Sequence, residues 1–181
     1  IEFVTIDPPG STDLDQALHL ERTDQGAVLH YAIADVPAYV TPGGAIDRVA
    51  RERGQTLYAP DERIPLHPPV ISEGAASLLE GEDRRAFVWR FELDAAAQPT
   101  RTTLTRAIVR SRRQWTYADA QRAIDEGSAP ASLAALRWFG EQRAAREAER
   151  GGASLNIPEI DIVADADHGY ALVRSEGVEV E

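Results

Sequence analysis

Residues 17–36 read ALHLERTDQGAVLHYAIADV. The first part, 17–23, alternates weakly, with Ala17, His19 and Glu21 on one face and Leu18, Leu20 and Arg22 on the other. Asp24-Gln25-Gly26 is a turn signal, and Ala27 to Val36 reads as a second, stronger strand. Two strands joined by so short a connection predict a hairpin, so the sheet is at least partly antiparallel. Upstream, Ile1 to Ile6 reads as a strand that Pro8, Pro9 and Gly10 break. Downstream, Gly44 to Arg53 has helical spacing, with Ile46, Val49 and Ala50 on one face and Gly54 as a stop. Residues 55–70 carry Pro60, Pro65, Pro68 and Pro69 and predict a long, ordered, irregular loop of the kind that often carries function. Ala86 to Leu93 and Thr100 to Arg110 read as two long strands. Thr116 is placed to cap a helix to about Glu126, with Asp119 favourable in its first turn. Pro130 opens another helix to about Arg150, with Leu133, Leu136, Phe139 and Ala144 inward and Gly151 and Gly152 ending it. Ile160 to Val163 and Tyr170 to Arg174 predict a last hairpin. The expected class is α+β, an antiparallel or mixed sheet with helices packed on it.

A chain of 181 residues is long enough for one domain with a real core, and 43% hydrophobic content is ordinary for a globular protein. No apolar run approaches the roughly 20 residues that span a bilayer, and no signal peptide opens the chain, so no membrane partner is expected. Cysteine is absent, which excludes disulfides, zinc–thiolate sites and thiol nucleophiles and fits a cytoplasmic setting. All 19 basic residues are arginine. There is no methionine, even at position 1; the chain opens on IEFVTID and ends on SEGVEVE, and is expected to be a piece of a longer protein. The net charge of −11 argues against a general nucleic-acid binder, which shows a basic face. A nuclease remains compatible with it, because acidic metal ligands supply part of that charge.

The acidic residues are not evenly spread. TIDPPGSTDLDQAL, residues 5–18, puts Asp7, Asp13 and Asp15 on one Pro/Gly-punctuated segment. Two like charges at 4 Å, in an effective dielectric near 20, repel by about 4 kcal/mol. A fold keeps such a group if a cation sits in it or if the carboxylates point apart. Asp13 and Asp15 are two apart, so an extended backbone aims both to one side, and the Pro-Pro-Gly turn is able to fold Asp7 back toward them. Three converging carboxylates suit Mg²⁺ or Mn²⁺, which take oxygen ligands and keep waters that a phosphate replaces. A metal pair clamping the attacking and leaving oxygens gives in-line phosphodiester hydrolysis. An EF-hand starting at Asp13 fails, since its sixth and twelfth positions are Leu18 and Asp24. Loop caps and Asx-turns are the competing role for aspartates here, and spacing alone leaves both readings open.

The blocks around this segment carry more information. TIDPPGSTDLDQAL, then LHYAIADVPAYVTPGGAIDRVARERGQTLYAPDERIPLHPPVISEGAASL at 29–78, RSRRQWTYADAQ at 110–121 and RGGASLNIPE at 150–159 run in the order of a known domain. The chain resembles the RNB catalytic domain of the ribonuclease II / ribonuclease R family nearly end to end, covering about the N-terminal half of that domain. The resemblance implies a 3′-to-5′ exoribonuclease that uses Mg²⁺ (or Mn²⁺), engages a single-stranded RNA 3′ end and releases nucleoside monophosphates. It implies four acidic positions: Asp7, Asp13 and Asp15 match the first three, with Asp13 and Asp15 catalytic. The fourth falls on Gln16, which departs from the family's Asp; an amide oxygen still binds Mg²⁺ but is neutral and weaker. Tyr58 in TLYAP matches the aromatic that stacks on the terminal base, worth about 1–3 kcal/mol per base. Read without the resemblance, Tyr58 packs a proline-rich loop. The family's later half supplies a catalytic arginine and flanking OB-type RNA-binding domains that match nothing here, so the isolated piece is expected to be inactive. Gln16 also admits an alternative, a weakened or non-catalytic module that binds RNA 3′ ends.

Other residues carry less. Asp35 in IADV is either an acid supporting the metal site or, more commonly for such a position, the cap of the turn at Pro37. His30 shares a face with Ala32 and Ala34 and reads as a structural histidine; His19, His67 and His168 show no ligand spacing. Ser11 and Ser72 lack an evident base partner. Trp89, Trp115 and Trp138 fit core packing, and Glu73 fits the cap of a short helix.

Overall fold

The computed structural model describes residues 1–59, 62–152, 159–165 and 169–175. Pro60, His168 and most of the 150–159 block lie outside the described residues. The elements run β1 (Phe3–Ile6), β2 (Gln16–Thr23), β3 (Gly26–Ala34), α1 (Ala45–Arg53), β4 (Leu57–Tyr58), β5 (Arg63–Ile64), β6 (Asp83–Leu93), β7 (Pro99–Trp115), α2 (Tyr117–Asp125), α3 (Ala131–Glu149), β8 (Glu159–Asp165) and β9 (Gly169–Ser175). A 3₁₀ turn spans Val36–Ala38 and a π-helical turn Val70–Ala75.

Five strands close into a barrel in the order β1-β2-β3-β6-β7. The predicted hairpin is β2–β3, antiparallel from Gln16 opposite Ile33 to Thr23 opposite Gly26. Strands β3–β6 and β6–β7 are also antiparallel, and β7 returns beside β1 in parallel, so the sheet is mixed and the class is α+β. Gly26 is required by close approach as well as by the turn. Its φ is +150°, and a Cβ there would lie 2.1 Å from the carbonyl oxygen of Leu93.

The barrel has two buried sides, which explains the weak alternation of β2. Its interior holds Phe3, Leu14, Ala17, Ala32, Ala34, Leu78, Ala86, Val88 and Val109. A five-stranded barrel is narrow, so alanine recurs on the inward positions. Outside, α2 and α3 cover Val4 and Trp115 with Ala120, Ala123, Ile124 and Leu133. A neighbouring outer cluster sets Ala135 against Leu20, Ala27 and Leu93. Ala17 thus faces inward and Leu20 outward, and both are buried. The side-chain oxygen of Ser132 on α3 accepts from the Leu20 amide at 2.8 Å, fixing the helix on the barrel.

Thr116 caps α2 as its type predicts, its Oγ1 accepting from the Asp119 amide at 3.0 Å. Several expectations shift. Val49 and Ala144 are exposed rather than inward. Trp89 is more than one-third exposed on the outer face of β6, where it stacks with Phe91. The proline-rich segment contains a small antiparallel ribbon, β4–β5, rather than loop alone. Asp35 is fully buried but makes no side-chain cap; Arg106 grips it in a fork, Nε to Oδ2 at 2.6 Å and Nη2 to Oδ1 at 2.7 Å. That guanidinium holds the Asp35 carboxyl below the usual carboxylate range. Among the described residues no helix is long and apolar enough to cross a membrane.

Candidate functional site

The acidic segment crosses the end of the barrel between β1 and β2. The Asp7 amide donates to the Trp115 carbonyl at 3.0 Å, which ends β1 against β7. The key residue beyond is Leu14, fully buried in the barrel interior. Its amide donates to Ser77 Oγ at 3.0 Å and its carbonyl accepts from the Leu78 amide at 2.8 Å. Ser77 Oγ donates in turn to the Thr12 carbonyl at 2.7 Å, and the Ala34 amide donates to the Asp15 carbonyl at 2.8 Å. With Leu14 inserted and its neighbours alternating outward, Asp13 and Asp15 share the outer side, as their spacing predicts.

The three carboxylates feel one another. The Asp7 carboxyl is pushed up to about 6, first by burial and then by the charges of Asp15 and Asp13. Burial chiefly raises Asp15 as well, with Asp13 adding and a backbone hydrogen bond opposing. Asp7 Oδ2 is buried with no hydrogen-bond partner among the described residues. Among the described residues neither Asp7 nor Asp15 has an ion-pair partner, while Asp13 Oδ2 accepts from Arg63 Nη1 at 3.0 Å. An orphaned buried oxygen among mutually repelling carboxylates, with no neighbouring arginine on two of them, fits a divalent cation. Among the described residues no three carboxylate or imidazole groups are already gathered as a ready cage.

Gln16 starts β2 beside them, and its Oε1 accepts from the Tyr31 hydroxyl. Burial raises the Tyr31 hydroxyl above the ordinary tyrosine range, and the charges of Asp15, Asp7 and Tyr117 add to it. Tyr31 therefore faces the same cluster, a neighbour the sequence reading missed. The signal was available: Tyr31 pairs with Leu18 on β2, two residues from Gln16 on the same face. Tyr58 lies on β4, 73% exposed, directly across the ribbon from Arg63. Glu73 is not a cap; it accepts from Thr12 Oγ1 at 3.0 Å and is ion-paired with Arg63.

The strained Asp7 carboxyl sets a pH dependence for the metal-free protein. A raised carboxyl pKa means the folded state binds the proton more tightly, so this contribution is fully present below the unfolded value, 3.8. It is lost as pH rises through about 6. At about 1.36 kcal/mol per tenfold the full difference is about 3 kcal/mol, reduced by solvent screening on this partly exposed group to about 1 kcal/mol. Asp7→Asn is expected to stabilise the protein by that amount at pH 7.5 in a chelating buffer and to leave it unchanged at pH 3.5, as read by urea midpoints. Equal midpoint shifts at both pH values would contradict the assignment.

The RNB domain family matches residues 1–177. The human exosome complex exonuclease RRP44 is 33% identical over 168 residues, 90% of this chain and 18% of that protein. Ribonuclease R of Acidithiobacillus ferrooxidans is 40% identical over 129 residues, 71% of this chain and 29% of that protein. The solved structure of Mycoplasma genitalium RNase R in complex with ribose methylated single-stranded RNA superposes with a TM-score of 0.92 at 25% identity, covering 99% of this chain and 29% of that one. The chain thus spans between about a fifth and a third of the length of these relatives.

Proposed function

From a chain that belongs to the RNB domain family, we propose that it forms the N-terminal half of the catalytic domain of a 3′-to-5′ exoribonuclease. Its substrate is the 3′ end of single-stranded RNA, its products are nucleoside monophosphates, and its setting is the cytoplasm. The observation that carries this reading is the buried, unpartnered Asp7 Oδ2 beside Asp15 and Asp13, a set of hard oxygen donors whose repulsion a cation relieves. Asp7, Asp13, Asp15 and the amide oxygen of Gln16 are the residues that would hold Mg²⁺, or Mn²⁺. The chemistry supplied there when the ion is bound would be activation of water and neutralisation of charge on the scissile phosphate.

The chain's own residues supply position. Leu14 pins Asp13 and Asp15 to the barrel end, and Asp15 and Asp13 are the catalytic carboxylates. The exposed Tyr58 ring offers a face for the terminal base, a contact that tolerates any sequence. Binding through stacking, with chemistry at the acidic cluster, suits stepwise removal of one nucleotide at a time.

A specific observation supports a second reading, an RNA 3′-end binding module with weakened catalysis: Gln16 is neutral and its oxygen is already engaged by Tyr31. The experiment is Mg²⁺-dependent release of nucleoside monophosphates from 3′-hydroxyl RNA by the full-length protein, with a chelator arm and a Gln16→Asp variant. Release that stops on chelation and changes less than about threefold in Gln16→Asp supports the nuclease reading with Gln16 tolerated. Absent release that Gln16→Asp restores identifies a disabled site. Absent release in both forms, with RNA still bound, supports the binding module.

A further inference from the structure

Arg63 joins its own ribbon to the acidic segment, 50 positions earlier, and to the π-helical turn 10 positions later. Its Nη1 donates to Asp13 Oδ2 at 3.0 Å and its Nη2 to Glu73 Oε1. Glu73 sits on the π-helical turn and also accepts from Thr12, the neighbour of Asp13. Arg63 itself lies on β5, with Tyr58 as its cross-strand partner. The Arg63 side chain is 30% exposed and those of Asp13 and Glu73 about as much, so both contacts are partly shielded from solvent and worth more than surface pairs. A planar fork with several donors is suited to hold two carboxylates at once.

Among the described residues the ribbon has little else to fix it. Four residues form its two strands, and Leu57, Tyr58 and Ile64 are all substantially exposed. Two-stranded ribbons are at best marginal without packing. Among the described residues, the other side-chain anchors are at its base, the Leu66 amide on Thr56 Oγ1 at 3.1 Å and Arg53 Nη1 on the Pro65 carbonyl at 2.6 Å. Neither reaches the acidic segment.

We propose that Arg63 is a positioning residue that ties the Tyr58 ribbon to the acidic segment through Asp13 and Glu73, so that base stacking and the carboxylates keep one fixed spacing. The inference rests on the reading of Tyr58 as the base contact. Arg63 touches neither base nor phosphate; it acts through the placement of Tyr58.

The test is a double-mutant cycle on binding of a short 3′-hydroxyl oligoadenylate to the full-length protein, in a chelating buffer so that no cleavage occurs. Tyr58→Ala is expected to weaken binding about tenfold. Arg63→Gln is expected to weaken it about fivefold alone and not at all in the Tyr58→Ala background, because coupled residues are not additive. Arg63→Lys keeps the charge without the fork and recovers only part of the loss. Glu73→Gln, which leaves Arg63 in place, is expected to give a similar coupled loss. Amide exchange at 57–59 and 62–64 should rise about tenfold in Arg63→Gln while β2, β3 and β6 stay protected. Equal loss with and without Tyr58, or ribbon exchange that does not change, overturns the proposal. If Tyr58→Ala leaves binding intact while ribbon exchange still rises, the stacking role falls and the tether stands.

Discussion

Replacing Asp15 with asparagine is expected to lower Mg²⁺-dependent release of nucleoside monophosphates by about a thousandfold in the full-length protein. The substitution keeps the shape and the backbone, so the Ala34 amide retains its bond to the carbonyl of residue 15. What disappears is one negative charge at the cluster. A unit pair at 4 Å in an effective dielectric near 20 is worth about 4 kcal/mol, and each 1.36 kcal/mol is a factor of ten in rate. The same change should stabilise the metal-free fold, since burial holds the Asp15 carboxyl above its ordinary value and Asp13 adds to it. Loss of activity together with a raised melting temperature in chelator separates a lost ligand from a damaged fold. Undiminished release would move the chemistry away from Asp15. The comparison that decides most is Tyr31→Phe: it removes the bond to Gln16 but no charge, so its effect should be far smaller.

Much of this site is legible in the sequence because the relevant signals are local. The Asp24–Gly26 turn fixes the β2–β3 register, and Thr116 caps α2 with its own side chain. The Asp13/Asp15 spacing follows from period-two alternation about Leu14. Helix faces were harder. Val49 and Ala144 satisfy a helical pattern but face solvent, because α1 and the end of α3 extend past what they cover. The closed barrel was not legible, since the parallel β1–β7 pairing joins residues more than 100 positions apart and leaves no local mark. Its signature lies in β2, where Ala17 and Leu20 are both buried on opposite faces, and that pattern reads as weak alternation rather than as two packed sides. Long-range charge pairing was invisible for the same reason. Arg63 could be located in a proline-rich segment, but nothing in its neighbours indicates that Asp13, 50 positions earlier, is its partner. Arg106 and Asp35 are 71 positions apart and converge only because β3, β6 and β7 are adjacent.

Leu14→Ala tests how far the fold and the site are one object. Leu14 and Leu78 are the large fully buried side chains of an interior otherwise rich in alanine, including Ala17, Ala32, Ala34 and Ala86. Small rigid neighbours on hydrogen-bonded strands cannot move in to fill a gap, so the cavity persists and the cost falls within the usual range for such truncations, about 3–4 kcal/mol. The expected result is a lower urea midpoint with an unchanged slope, the mark of lost stability without altered compactness. A second effect distinguishes Leu14 from other core residues. Its insertion is what turns Asp13 and Asp15 outward, and its amide and carbonyl fasten the segment to Ser77 and Leu78. Mn²⁺ affinity should therefore fall about tenfold in Leu14→Ala at a temperature where the protein is still folded, as supporting residues around a metal commonly cost when lost. Leu14→Met, which nearly conserves volume, should cost under about 1.5 kcal/mol and leave the affinity unchanged. Val109→Ala removes volume from the same interior on β7, at a residue outside the acidic segment, and serves as the control: it should lower stability without touching metal affinity. If the two core variants change the affinity equally, the acidic segment is held by the barrel as a whole, and Leu14 has no special part in aiming it.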